Sequence, residues 1–207
     1  NIKNDIQVAS VIINPENGAV LGLTGGVNYS KSQYNRALSN NRSVGSTIKP
    51  FLYYAALENN FTASTTFTSE KTTFVFSEDQ TYSPTNYGDQ YPNKEISLAA
   101  AIAYSDNIYA VKTHLFLGSD TLVDMMKRVG ITTKLDSIPS LALGSQPISL
   151  LEMTNAYAIL ANGGYKVKPH FIQRVEDING NILYEYKESK EQILNKSITY
   201  ILSELLA

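Results

Sequence analysis

The stretch Arg42-Ser43-Val44-Gly45-Ser46-Thr47-Ile48-Lys49-Pro50-Phe51-Leu52-Tyr53-Tyr54-Ala55-Ala56-Leu57 sets a serine and a lysine three residues apart at the head of an apolar helix. Residues at that spacing share one helix face a turn apart, so the Ser46 hydroxyl and the Lys49 amine come within reach of each other. A serine needs a base to become a nucleophile at neutral pH, and a lysine serves only while its amine is uncharged. The apolar wall of Phe51, Leu52, Tyr54, Ala55 and Leu57 supplies the burial that disfavours the ammonium. Pro50 belongs in the first turn, where N–H groups lack intrahelical partners, so the helix is expected to start near Ser46 and to aim its positive end at an oxyanion there. The bland alternative is an N-capping serine and a solvated lysine, since Ser-x-x-Lys arises about once by chance in a chain of this size.

Outward from this stretch the chain is unremarkable in bulk composition. With 207 residues, 43% of them hydrophobic, it can bury a substantial core as one domain. A net charge of −2 gives no ground for a nucleic-acid partner, and the absence of cysteine removes disulfide and thiol chemistry. No apolar run approaches the roughly 20 residues of a membrane span, and the N-terminal residues do not form a signal peptide.

Residues 6–23 read as a β-hairpin turning at Asn14-Pro15-Glu16-Asn17-Gly18. Residues 24–42 read as a polar connection in which Arg36 and Arg42 are solvated. Residues 59–93, rich in Thr, Ser, Tyr and Asn, are too long for an idle turn and are expected to wrap over a site, with Tyr82, Asn86, Tyr87 and Tyr91 at its rim or simply covering a core. Residues 96–111 form two apolar helical segments interrupted by Ser105-Asp106-Asn107. One reading makes Ser105 or Asp106 an N-cap; the other points Ser105 and Asn107 into a cavity and Asp106 away from it. Helices are expected over 119–129, over 147–162 and from about residue 195, with a hairpin over 165–186 turning at Asn179-Gly180. Strands, then mixed helices, then strands predict an α+β or three-layer α/β fold. His114 and His170, the only histidines, fit neither a metal cluster nor a Ser-His-Asp triad.

Ser46-x-x-Lys49 followed by Ser105-Asp106-Asn107 gives, in order, the first two signatures of the penicillin-recognising serine enzymes. Together with Pro84-Thr85-Asn86-Tyr87, Leu141-Ala142-Leu143-Gly144-Ser145 and the run from Ala156 to Gly164, the chain resembles, over nearly its whole length, the transpeptidase domain of bifunctional class A penicillin-binding proteins of Gram-positive type. The resemblance implies a β-lactamase/transpeptidase-like fold, α/β with helices on both sides of a central antiparallel sheet. It also implies a serine D,D-transpeptidase that cross-links peptidoglycan stem peptides and is acylated by β-lactams. By this carry-over Ser46 is the nucleophile, Lys49 its base, Ser105 the relay to the leaving amine, and Asn107 a ligand of the substrate amide. No metal or organic cofactor is implied.

The third family motif, Lys-Thr-Gly on a strand lining the cleft, does not occur. Lys166-Val167-Lys168 is no substitute, because it follows the Gly163-Gly164 stop. The motif strand would supply the second oxyanion N–H, so the expectation is that residues 1–207 form the N-terminal and helical portion of the domain, with an incomplete central sheet. The remaining C-terminal part of the same domain is then a partner, and the 207 residues alone are expected to be inactive and poorly folded. Upstream the resemblance implies a glycosyltransferase domain and an anchor holding the protein on the extracytoplasmic face of the membrane. Cell-wall synthesis proteins are further partners in that setting, and nucleic acid is not. A serine β-lactamase and a non-catalytic β-lactam sensor of the same fold are the alternatives. Against the first, Glu152 and Asn155 read as surface positions of an apolar helix rather than as parts of a hydrolytic loop.

Overall fold

The computed structural model describes residues 6–39, 42–188 and 191–207. Residues 40 and 41, within the polar connection expected over 24–42, lie outside the described residues. The chain forms two compact units, one built from Ser43–Lys127, Lys134–Pro147 and Ser197–Ala207, the other from Asn1–Arg42, Arg128–Thr133 and Ile148–Lys196.

The first unit is built on two helices that are apolar all round. Helix α1 spans Lys49–Glu58 and α3 spans Asn107–Leu117, and each packs against the other. Every α1 residue from Lys49 to Ala56 is buried, as a helix with no polar face must be. Phe51 and Leu52 are wholly excluded from water, each contributing roughly 1.5–3 kcal/mol of transfer free energy. Between them in sequence, α2 (Leu98–Ala103) is capped by the Ser97 hydroxyl, which accepts from the Ala100 N–H. Helix α4 (Ser119–Arg128) is amphipathic, with Leu122, Val123, Met125 and Met126 as its buried stripe. A 3₁₀ turn over Pro139–Leu143 packs against both α1 and α3.

The long polar stretch expected to be a structureless wrap holds regular structure instead. Strand β3 (Thr66–Ser69) pairs antiparallel with β6 (Lys94–Ser97), and β4 (Phe74–Ser77) with β5 (Gln80–Tyr82). Phe67 of β3 anchors the first ladder by meeting the rings of Tyr109 and Phe61 at centroid distances of 5.2 and 5.9 Å.

In the second unit, β1 (Ser10–Ile13) and β2 (Val20–Thr24) form the expected hairpin, with a bulge between Ile12 and Ile13. Helix α5 (Leu150–Ala161) packs on β1. It starts at a capping box: the Ser149 hydroxyl accepts from the Glu152 N–H while the Glu152 carboxylate accepts from the Ser149 N–H. Strands β7 (Arg174–Glu176) and β8 (Ile182–Glu185) make the second hairpin of this unit, shorter than the 165–186 expected. Its turn is organised by Asp177, which accepts from the backbone of Asn179 and Asn181. Helix α6 (Lys196–Leu206) belongs, from Ser197 on, to the first unit. The fold is mixed α/β as expected, but among the described residues its sheets are four two-stranded ladders.

Three sequence readings are corrected here. Arg36 is not solvated: it is half-buried, donates to the carbonyls of Gly25 and Tyr34, and lies over the Tyr34 ring. Asn155 is buried at 5% exposure, and Glu152 is half-buried with its carboxylate bonded to Thr132 and Thr133. Both face inward because α5, like α1, is apolar on nearly every side.

Candidate active site

Ser46 sits on a 3₁₀ turn, Gly45–Ile48, that runs directly into α1, so the α-helix itself starts at Lys49 rather than at Ser46. The turn is tied down on its N-terminal side. The Gly45 N–H donates to the Gly144 carbonyl at 3.0 Å, and Ser43 bridges Pro147. Gly144 has φ 65°, and a Cβ there would lie 2.1 Å from the Gly45 carbonyl oxygen, so only glycine allows this approach. The Ser46 turn is thereby fixed by the segment Leu141-Ala142-Leu143-Gly144-Ser145, whose signal in the sequence is the glycine itself.

The Ser46 side chain is exposed and lines a cavity of about 100 Å³ with Lys49, Tyr53, Ile102, Ser105 and Leu206. Lys49 points inward, with the residue only 3% exposed. Its Nζ donates to the Ser105 carbonyl (2.6 Å), the Asn107 Oδ1 (2.7 Å), the Ser105 Oγ (3.1 Å) and the Asp106 carbonyl (3.3 Å). Burial lowers the Lys49 pKa to about 8, and the Asp106 carboxylate acts against that shift. At pH 7 about a tenth of the amines are therefore neutral.

The bend between α2 and α3 presents these acceptors. Ser105 has φ 52°, an uncommon left-handed conformation for a non-glycine residue, and this turns both its carbonyl and its hydroxyl to the lysine. Asp106 turns the other way. Its Oδ1 caps α3 by accepting from the Tyr109 N–H at 2.7 Å, and its Oδ2 accepts from the Ser69 hydroxyl at 2.5 Å and the Asn86 amide at 2.7 Å. Asp106 is the helix cap and turns away from Lys49, Ser105 lines the cavity, and the Asn107 amide bonds Lys49 and the Thr85 carbonyl rather than lining it.

Of the residues singled out in the sequence, Lys49, Ser105 and Asn107 are joined by direct hydrogen bonds, and Ser46 shares one cavity wall with Lys49 and Ser105. Asn86 does not rim a cleft. It is buried, whereas Tyr87 beside it is almost fully exposed. The roles of Asn86 and Ser69 were not legible, although each is a buried polar group whose partners stand far off in sequence. The histidines stand apart: His114 is buried with Nε2 3.2 Å from the Ile138 carbonyl and its pKa lowered by burial, and His170 stacks on Tyr186.

The profile of the penicillin binding protein transpeptidase domain matches residues 8–206. Penicillin-binding protein 2D of Bacillus subtilis strain 168 is 48% identical over 207 residues, all of this chain and 30% of that protein. Penicillin-binding protein 1A of Rickettsia typhi is 36% identical over 181 residues, 87% of this chain and 23% of that protein. The chain thus spans less than a third of these relatives. Among solved structures, penicillin-binding protein 1A from Haemophilus influenzae superposes with a TM-score of 0.88 at 27% identity, covering 97% of this chain and 34% of that one. The chain belongs to the family of penicillin-binding protein transpeptidase domains.

Proposed function

We propose that this chain carries the acyl-transfer machinery of a serine D,D-transpeptidase acting on peptidoglycan stem peptides. The observation that carries the reading is a buried lysine with a pKa lowered to about 8, beside Ser46 in one cavity and bonded to the Ser105 hydroxyl. Neutral Lys49 takes the Ser46 proton as Oγ attacks the carbonyl of the penultimate D-alanine. The tetrahedral adduct collapses to an acyl-enzyme, and the terminal D-alanine leaves after its nitrogen has received a proton from Ser105, which takes one in turn from the Lys49 ammonium and so returns that amine to its neutral form. Lys49 donates to the Ser105 Oγ, which leaves that hydroxyl's own proton free for the leaving group. The amine of a neighbouring stem then attacks the ester, its proton passing by way of Lys49 to the departing Ser46 Oγ, which gives the cross-link and restores Ser46. A β-lactam follows the first half of this route, its ring opening as Ser46 is acylated. Asn107 has one amide N–H on the Thr85 carbonyl at 2.6 Å and a second for the substrate amide.

The Glu152 carboxylate is bonded to the backbone and hydroxyls of Thr132 and Thr133, so it offers no base to a deacylating water. This favours the transpeptidase over a β-lactamase. With Lys-Thr-Gly absent from the sequence, we infer that the second oxyanion donor comes from a further segment of the same domain. The reaction places the site on the extracytoplasmic face of the membrane.

The test is intact-mass analysis of the natural full-length protein after incubation with benzylpenicillin, with peptide mapping. One covalent adduct on Ser46, absent from Ser46→Ala, is expected, together with release of D-alanine from a D-Ala-D-Ala peptide in the presence of an acceptor amine. Acylation without any D-alanine release would instead identify a β-lactam sensor.

A further inference from the structure

We propose that Asn86 is a positioning residue of the acyl-transfer site: its one amide locks the Asp106 carboxylate to the start of α3, and so fixes the bend whose acceptors hold Lys49. The inference rests on the acyl-transfer reading of Ser46 and Lys49. Asn86 stands at the N-cap position of its own 3₁₀ turn, Tyr87–Asp89, where an asparagine ordinarily bonds the turn that follows it. It makes no such bond. Its Nδ2 donates to Asp106 Oδ2 at 2.7 Å and to the Ser69 hydroxyl at 3.3 Å, while its Oδ1 accepts from the N–H groups of Asn107 at 2.8 Å and Ile108 at 3.4 Å.

One side chain therefore satisfies two N–H groups at the start of α3 and braces the carboxylate that caps the same helix. The cluster is closed to water: Ser69 is fully buried, and Asp106 and Asn86 are 4% and 8% exposed. A buried carboxylate that accepts from three neutral donors, Tyr109 N–H, the Ser69 hydroxyl and the Asn86 amide, cannot change rotamer without stranding several polar groups. The neighbouring backbone is held with it. Ser105 stays in its left-handed conformation, and Asn107 is clamped between Asn86 at its N–H, Thr85 at its Nδ2 and Lys49 at its Oδ1. A buried apolar side chain at position 86 leaves that bend free to relax, and the lysine moves with it.

The charged and titratable groups coupled to this cluster are few. Lys49 and Tyr53 on α1 and Tyr91 before β6 feel Asp106 directly, and Tyr109 lies beside Tyr53. The three phenols are all shifted upward and stay neutral, so Lys49 is the group whose titration reports on Asp106.

The test uses the natural full-length protein, benzylpenicillin as probe, and the acylation rate of Ser46 followed against pH. Asn86→Ala is expected to slow acylation of the folded enzyme by about 10- to 100-fold. It is also expected to move the acid limb of the pH profile upward, because Asp106 then loses a donor and its charge acts more fully on Lys49. A residue with a folding role alone would lower thermal stability and leave the pH profile of the folded fraction in place.

The exchange Asn86→Asp with Asp106→Asn guards against loss of fold. The carboxylate at position 86 can accept from Asn107 and Ile108, while the amide at position 106 donates to it and to Ser69 and accepts from Tyr109. Each single change of the pair opposes like groups, so the double variant is expected to acylate at least about 10-fold faster than either. A double variant that fails to fold or acylates no faster than the singles overturns the proposal. So does a folded Asn86→Ala enzyme with unaltered rate and pH profile. If the unsubstituted protein forms no adduct on Ser46, the acyl-transfer reading itself falls, and this inference with it.

Discussion

Lys49 and Glu152 are both ionisable groups drawn into largely apolar helices, and their surroundings push them in opposite directions. Lys49 is surrounded by acceptors, yet burial outweighs them and its pKa falls to about 8. For Glu152 burial also acts against the charge, but the hydroxyls and N–H groups of Thr132 and Thr133 outweigh it and hold the pKa at about 2. The difference lies in what each charge is for. Glu152 is permanently ionised and serves as mortar, joining the α5 capping box to the segment before it. Lys49 is kept near its point of neutrality, which costs stability and suits a base.

The sharpest break of this comparison is Lys49→Arg. An arginine cannot give up its proton in a protein, so it keeps the charge and the donors while removing the base we propose at this position. Benzylpenicillin acylation is expected to fall by about 1,000-fold. In the unsubstituted enzyme the rate should climb with pH up to about 8 and then level, as the neutral amine accumulates. Stopped-flow acylation from pH 6 to 9.5 measures both, and an arginine variant with the same acid limb would show that Lys49 is not the titrating base.

Glu152→Gln probes the other side. The folded-state pKa is depressed, so the carboxylate's contribution to stability is complete above the unfolded value of about 4.5 and is lost as pH falls through about 2. Discounted for the solvent that reaches this half-buried group, the loss at pH 7 is about 1–2 kcal/mol. Denaturant unfolding should show that gap at pH 7 and its narrowing toward pH 2, with acylation of the folded enzyme unaffected. A gap that persisted undiminished at pH 2 would mean the charge is not what Glu152 contributes.

The same contrast explains how much of the molecule was legible. Ser46, Lys49 and the Ser105-Asp106-Asn107 triplet stood out because polar residues interrupt apolar helices, where they need a reason to be. The hairpin at Asn14 to Gly18 and the helices ending at Gly130 and Gly163 carried their own turn signals. What failed was whatever depends on partners distant in sequence. Strand β3 is four residues of Thr, Phe and Ser that pair with β6 some thirty positions on, and no local pattern announces Thr66 opposite Ser97. Asn86 lies in a loop by composition, and its meaning comes from Asp106 and the N-terminus of α3. Glu152 and Asn155 were read as surface because charge and amide usually are, whereas the exposed face of α5 is carried by Leu150, Tyr157 and Ala161 instead.

Tyr53 offers the smallest and most discriminating change. It lies one turn beyond Lys49 on α1 and lines the same cavity, yet its hydroxyl is buried without a hydrogen-bond partner. Burial and the neighbouring Tyr109 and Asp106 push its pKa upward, so it stays protonated and takes no part in the titration of the site. A buried hydroxyl left without a partner costs about 1–3 kcal/mol, and Tyr53→Phe removes that cost while keeping the ring's edge-on contact with Tyr109. The expected result is a gain of about 1 kcal/mol in unfolding free energy, since the ring itself is unchanged. A loss of that size would mean that the hydroxyl has a partner in solution, and the cavity beside Lys49 is where a bound water would have to sit.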